Sequence, residues 1–218
     1  MKTAIVLGGS RGIGKAIADS LKSINCDVIA TSKNELDTSS LESVSSFAEK
    51  HKEVDILVLN TGGPEPKEFF SVTEDDWKHY HNQLFLGFCM LLQKIKINDN
   101  GYVFLISSGV IKEPDPKLII SSAYRSAFSS VFKILSKQFA SKQISCINIA
   151  PGPIQTDRTK ELIDDVEAFA KTLPMKRLGK PQEIGDFVKS IVEHDIKYLS
   201  GAVIDLTAQT LILFSSKT

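Results

Sequence analysis

A chain of 218 residues with 26 basic and 26 acidic side chains is long enough to bury one substantial core and has no charge bias toward nucleic acid or an anionic membrane. No basic stripe with interleaved aromatics, no apolar run of spanning length and no secretory leader pattern is present, so a small-molecule ligand and a cytoplasmic location are expected. Cys26, Cys89 and Cys146 are odd in number and lack paired or metal-ligand spacing, which predicts buried free thiols and no metal site.

The first apolar run, "TAIVLG" (3–8), reads as a buried strand and leads into "GGSRGIG", Gly8 to Gly14, which opens a helix in "IGKAIADSLKS". Glycines between a strand and a helix let the backbone turn tightly and bring N–H groups and a positive helix end toward a pyrophosphate, so Gly8, Ser10, Arg11, Gly12, Ile13 and Gly14 are expected to bind a dinucleotide. The second strand, "DVIAT" (27–31), ends without the carboxylate that holds the ribose hydroxyls of NAD. Ser32, Lys33 and Arg11 instead supply a hydroxyl and cations suited to a 2′-phosphate, which favours NADP, with NAD as the alternative.

Further strands follow at "DILVLN" (55–60), "YVFLIS" (102–107), "ISCINIA" (144–150) and "AVIDL" (202–206). Helix-length segments separate them, with apolar residues at three- and four-residue steps as in Tyr124, Phe128, Val131, Leu135 and Phe139. Continuous apolar strands alternating with helices predict a parallel sheet covered on both faces, with ligands beyond the carboxyl ends of the strands. His79 and His81 stand at i, i+2 and diverge around a helix, so they read as structural, while Asp75–Asp76 and Asp164–Asp165 read as solvated helix-start charges.

These segments, in this order and spacing, resemble the short-chain dehydrogenase/reductase family over nearly the whole chain. "GGSRGIG" is similar to the family's cofactor turn and "DILVLNTGGP" to the segment that places Asn60 and Gly62 beside the cofactor. Asp37 is similar to the family aspartate near the adenine, although a helix and much of a strand of ordinary members are missing before it. "YVFLISSG" resembles the strand carrying the catalytic serine, here Ser108, and "NIAPGPIQTD" the segment that lays Pro151, Gly152 and Thr156 against the nicotinamide. The resemblance implies a single domain, 1–218, with a Rossmann-type doubly wound parallel sheet in three α/β/α layers. It also implies a homodimer or homotetramer built on helices near 73–95 and 121–142, and a substrate lid around "TKELIDDVEAFAKTLP".

The family uses a tyrosine as proton donor and a lysine four residues later. Tyr124 is followed four places on by Phe128 and lies 16 residues after Ser108, where the family spacing is thirteen. Thirteen residues after Ser108 lead to Ser121, with Arg125 four further on, and Ser121 to Pro151 spans the thirty residues usual from the tyrosine to the Pro-Gly pair. The resemblance therefore puts Ser121 and Arg125 in the tyrosine and lysine places, as in a divergent branch of the family. Tyr124, at i+3 from Ser121, lies on a similar helix face and is a further catalytic candidate through a local shift into the cleft, the alternative being that it packs against the neighbouring helix or a partner subunit. The family's helix asparagine is replaced by Leu84, and Asn82 points to another face. Two functions follow. One is an oxidoreductase moving hydride between NADP(H) and a carbonyl/alcohol substrate, with a 3-oxoacyl compound as the implied type. The other is a dinucleotide-binding regulatory or scaffolding protein with little or no catalysis.

Overall fold

A computed structural model describes residues 1–208; residues 209–218 of the expected domain lie outside the described residues. The strands are β1 (Thr3–Val6), β2 (Asp27–Ala30), β3 (Glu53–Leu59), β4 (Lys96–Ile106), β5 (Ser145–Pro151) and β6 (Val203–Leu206). They form one parallel sheet in the order β2-β1-β3-β4-β5-β6. The chain moves outward one way from β1 to β2 and the other way from β3 onward, so the winding reverses between β1 and β3, where a crevice opens at the strands' carboxyl ends.

Alternation along the strands makes two cores. Ala4, Val6, Ile56, Val58, Phe104 and Ile149 face α1 (Gly12–Lys22) and α8 (Pro181–Glu193), meeting Ile17, Leu21, Ile184 and Val188. Ile5, Leu7, Leu57, Leu59, Val103 and Leu105 face α2 (Leu41–Lys50), α4 (Gly87–Lys94) and α5 (Ile119–Phe139), meeting Val44, Phe47, Phe88, Leu91, Phe128 and Phe132. Both sheet faces are thus apolar and helix-covered, which is the three-layer arrangement expected of continuous apolar strands.

Three local features depart from the sequence reading. Strand β4 begins at Lys96 rather than at Tyr102, because the polar stretch before Tyr102 pairs with Glu53–Val54 of β3 before a register irregularity. The helix expected over 73–95 is α3 (Glu74–His81), a π-helical turn (Asn82–Leu86) and α4 in succession. The expected lid is two short helices, α6 (Asp157–Leu162) and α7 (Val166–Thr172), since the chain turns extended at Ile163 and Asp165 caps the second helix by accepting from the Ala168 amide. Thr73 and Asp76 close a reciprocal capping box at the start of α3, with Lys67 bound to Asp76. Among the described residues no helix is long and apolar enough to cross a membrane. Cys26 and Cys146 are buried free thiols, and Cys89 is half-buried.

Candidate active site

The crevice at the carboxyl edge is a half-open cleft of about 470 Å³. At one end, Gly8 turns with φ +58° and Gly12 with φ +55°, conformations that residues with a β-carbon rarely adopt. Gly14 serves a different need, since a Cβ there would lie 2.1 Å from the Gly8 carbonyl oxygen, so the helix can pack this close to the turn only without a side chain. No acidic side chain stands in the first turn of α1 and Arg11 provides no side-chain cap, which leaves that turn's N–H groups facing the cleft mouth. Asn60 ties β3 to the turn by donating to the Leu7 and Gly8 carbonyls at 3.1 and 3.4 Å.

The far wall beside β2 carries Lys33, Leu36, Asp37 and Thr38. Partial burial of the Asp37 carboxylate works against its charge, but the Ser39 hydroxyl and amide and Lys33 outweigh this and hold its pKa below the ordinary value. Ser32 is not among the cleft-lining residues; its amide donates to the Glu35 carboxylate at 2.7 Å.

At the other end, Ser108 follows β4 with its Oγ accepting from the Val110 amide at 3.4 Å, and stays half-buried on the cleft wall. Helix α5 begins at Ile119, so Ser121 sits in its first turn and Arg125 one turn on, both facing the cleft. Arg125 is 8% exposed. Its Nε donates to Ser121 Oγ at 3.1 Å, Nη1 to the Ile106 and Ser107 carbonyls at 3.2 and 3.3 Å, and Nη2 to the Thr61 carbonyl at 3.3 Å. All of these acceptors are neutral, and burial pulls the guanidinium pKa down to about 10.

The space between the two ends fits a bound dinucleotide. A Cβ at Gly62 would meet no atom within 4 Å, so this glycine keeps the cleft floor empty instead of serving packing. Thr156, the N-cap of α6, faces the glycine turn across the mouth, its Cγ2 3.4 Å from where a Cβ on Gly12 would stand. Residues 36–207 match the family described as enoyl-(acyl carrier protein) reductase. The chain belongs to the short-chain dehydrogenase/reductase family.

The 3-oxoacyl-(acyl-carrier-protein) reductase of Salmonella typhimurium is 28% identical, over 92% of this chain and 93% of that protein. Two solved structures share the fold. One is a short-chain dehydrogenase family protein of Francisella tularensis, with TM-score 0.87 at 20% identity over 95% of this chain and 98% of that one. The other is the angucycline C-6 ketoreductase LanV with bound NADP, with TM-score 0.84 at 22% identity over 97% and 96%.

Within this short-chain dehydrogenase/reductase, Ser108, Ser121 and Arg125 come together on one wall, while Tyr124 does not join them. The Tyr124 hydroxyl donates to the Trp77 carbonyl at 3.1 Å, and its ring packs edge-on against Trp77 and His81 at 5.7 and 5.6 Å. One step of α5 separates Tyr124 from Arg125, and that rotation carries the phenol toward α3 and away from the cleft. Leu84 is 1% exposed in the core, and Asn82 turns to the Ser39 carbonyl at 3.4 Å. Gln83 and Arg158 are among the cleft residues that escaped the sequence reading. Gln83 bonds Thr61 and Gly62 from the π-helical turn, and Arg158 of α6 donates to the Pro64 carbonyl at 2.6 Å. Gln83 stands beside the flagged Leu84, and Arg158 two residues past the flagged Thr156, so proximity to a motif was the one available signal.

Proposed function

We propose that this short-chain dehydrogenase/reductase is an NADP(H)-dependent oxidoreductase acting on a small carbonyl/alcohol substrate, with 3-oxoacyl compounds as the first candidates. The reading is carried by the convergence of Ser108, Ser121 and buried Arg125 on an open cleft above Gly62. The name of the Salmonella relative and the NADP in the ketoreductase LanV support it. When bound, the cofactor supplies or accepts the hydride.

The protein's own part is binding and polarisation. Gly8, Ser10, Arg11, Gly12 and Ile13 hold the phosphates, with Gly14 allowing the close helix approach. Asp37 and Lys33 flank the adenosine end, and Asn60, Gly62, Pro151, Gly152 and Thr156 frame the nicotinamide end. Lys33 is paired to Asp37 at 3.5 Å and the Ser32 amide to Glu35, so a 2′-phosphate must take both from carboxylates. NAD is the alternative cofactor on that account. Ser108 and Ser121 present hydroxyls to a carbonyl oxygen, in the manner of oxyanion donors. Because Arg125 Nε donates to Ser121 Oγ, the Ser121 hydrogen is free to point at substrate, and the adjacent cation makes it a stronger donor. With a pKa of about 10, Arg125 stays charged at neutrality and moves no proton; water in the half-open cleft supplies or removes the proton on oxygen.

The test is fluorescence titration with NADPH and NADH, followed by absorbance assays on a 3-oxoacyl and carbonyl panel. NADPH binding with turnover is the expected result. The phenol's engagement with Trp77 favours the second reading, a dinucleotide-binding regulatory or scaffolding protein, and binding without turnover of any substrate would decide for it. A homo-oligomer fits the exposed Ala123, Ala127 and Ile134 along α5, and a cytoplasmic location fits its buried free thiols.

A further inference from the structure

The wall above Gly62 is built from a segment that has little regular structure of its own. Residues 60–66 lie outside every strand and helix, so side-chain donors from neighbouring elements fix their path. Arg125 grips this segment from α5, through Nη2 on the Thr61 carbonyl at 3.3 Å. From the opposite side, Gln83 Nε2 donates to the Gly62 carbonyl at 2.9 Å and to Thr61 Oγ1 at 3.3 Å. Thr61 Oγ1 also lies 3.4 Å from Thr38 Oγ1, next to Asp37 on the adenosine wall.

Gln83 reaches this place because the helix widens to a π-helical turn at Asn82–Leu86, a local distortion that often marks functional sites. Leu84, the next residue, is 1% exposed and anchors the turn in the core. On the other side of the turn, a Cβ at Gly87 would lie 2.5 Å from the Thr38 carbonyl oxygen, so the turn is pressed against the adenosine wall as well. The carboxamide is therefore set between a buried anchor and a tight contact, and aimed at the one loop that Arg125 also holds.

We propose that Gln83 is a positioning residue: it holds Thr61 and Gly62 so that Arg125 keeps its grip on the Thr61 carbonyl and, through Nε, on Ser121. The proposal rests on the cofactor reading for its consequence in binding, but not for its structural content. Without the Gln83 donors, the Thr61 carbonyl drifts from Arg125 Nη2, and the guanidinium loses one of the acceptors that fix its direction toward Ser121.

Gln83→Glu keeps the side chain's shape and removes its donors, while Gln83→Ala removes both. In the ligand-free protein, both variants are expected to lower the backbone amide order parameters of Thr61–Gly63 in nuclear magnetic relaxation, with a thermal midpoint close to the parent's. Their NADPH affinity should fall about tenfold, the scale of one well-placed hydrogen bond. In an Arg125→Lys background, where the fork of donors is already gone, Gln83→Glu should add little further loss, since the two residues act on the same Thr61–Gly62 segment. Unchanged order parameters at Thr61–Gly63 in both variants would overturn the proposal. So would losses that simply add in the double variant, which would mark Gln83 as an independent packing residue. A parent protein that binds no dinucleotide would defeat the cofactor reading instead, and the relaxation comparison would still decide the role of Gln83.

Discussion

The two ends of the cleft are built by different means. At the glycine turn, main-chain geometry does the work: φ +58° at Gly8, φ +55° at Gly12 and the 2.1 Å approach at Gly14 leave few residue choices. At the start of α5, side chains do the work, and a different set meets the same wall, with serine and arginine where the resemblance expects tyrosine and lysine. Backbone constraints hold a motif in place because any side chain breaks them. Side-chain roles can be redistributed among neighbours, so identity there is a weaker guide than position.

That contrast is most directly broken at its rigid end. Gly14→Ala places a methyl against a main-chain oxygen that has no flexible end to yield, and it is expected to lower unfolding stability by about 3 kcal/mol or more and abolish dinucleotide binding. Gly62→Ala is the control, since its Cβ meets no atom within 4 Å. It should unfold like the parent in urea and yet bind dinucleotide more weakly, because the methyl occupies cleft space. Equal loss of stability in both variants would show that the glycines share a packing role.

Arg125 comes next. Arg125→Met removes the donors to three carbonyls and Ser121 in a buried site, with an expected loss of roughly 3 kcal/mol and of turnover. Its pH behaviour separates charge from structure. Burial lowers the folded-state pKa from 12.5 to about 10, so the unfolded chain keeps this proton to higher pH than the folded one. The group's contribution to stability therefore rises as pH climbs through about 10, while the rate falls there as the charge beside Ser121 is lost. Urea unfolding and initial rates of the parent and of Arg125→Met across the alkaline range read the two opposed trends.

Most of the fold was legible because the six strands are apolar runs of the right length; the largest displacement of a strand end is at the start of β4, where polar residues precede Tyr102 and pair with β3. The glycine turn was legible for the backbone reasons above. Helix α5 was harder, because its buried line includes Ser121, Ser122, Arg125 and Ser136, and hydrophobic periodicity follows instead the half-buried Tyr124, Val131 and Leu135. Gln83 was legible only through its place beside Leu84, since a π-helical turn shifts later side chains around the axis and leaves no compositional sign.

The smallest expected effects lie within α5 and sharpen the comparison most. Ser121→Ala removes the hydroxyl that Arg125 polarises and is expected to slow turnover on the order of a hundredfold, the scale of one oxyanion donor, with dinucleotide affinity near the parent's. Tyr124→Phe removes only a bond to the Trp77 carbonyl at 3.1 Å, worth about 1 kcal/mol of stability, and should leave kcat/KM close to the parent's. Burial raises the Tyr124 phenol above its ordinary pKa, so it is also a poorer acid than a free tyrosine. If Tyr124→Phe proved the more damaging of the two, the phenol must leave Trp77 to reach substrate. The wall built of Ser108, Ser121 and Arg125 would then be a binding surface for the cofactor, with the chemistry three residues away from the place the spacing selects.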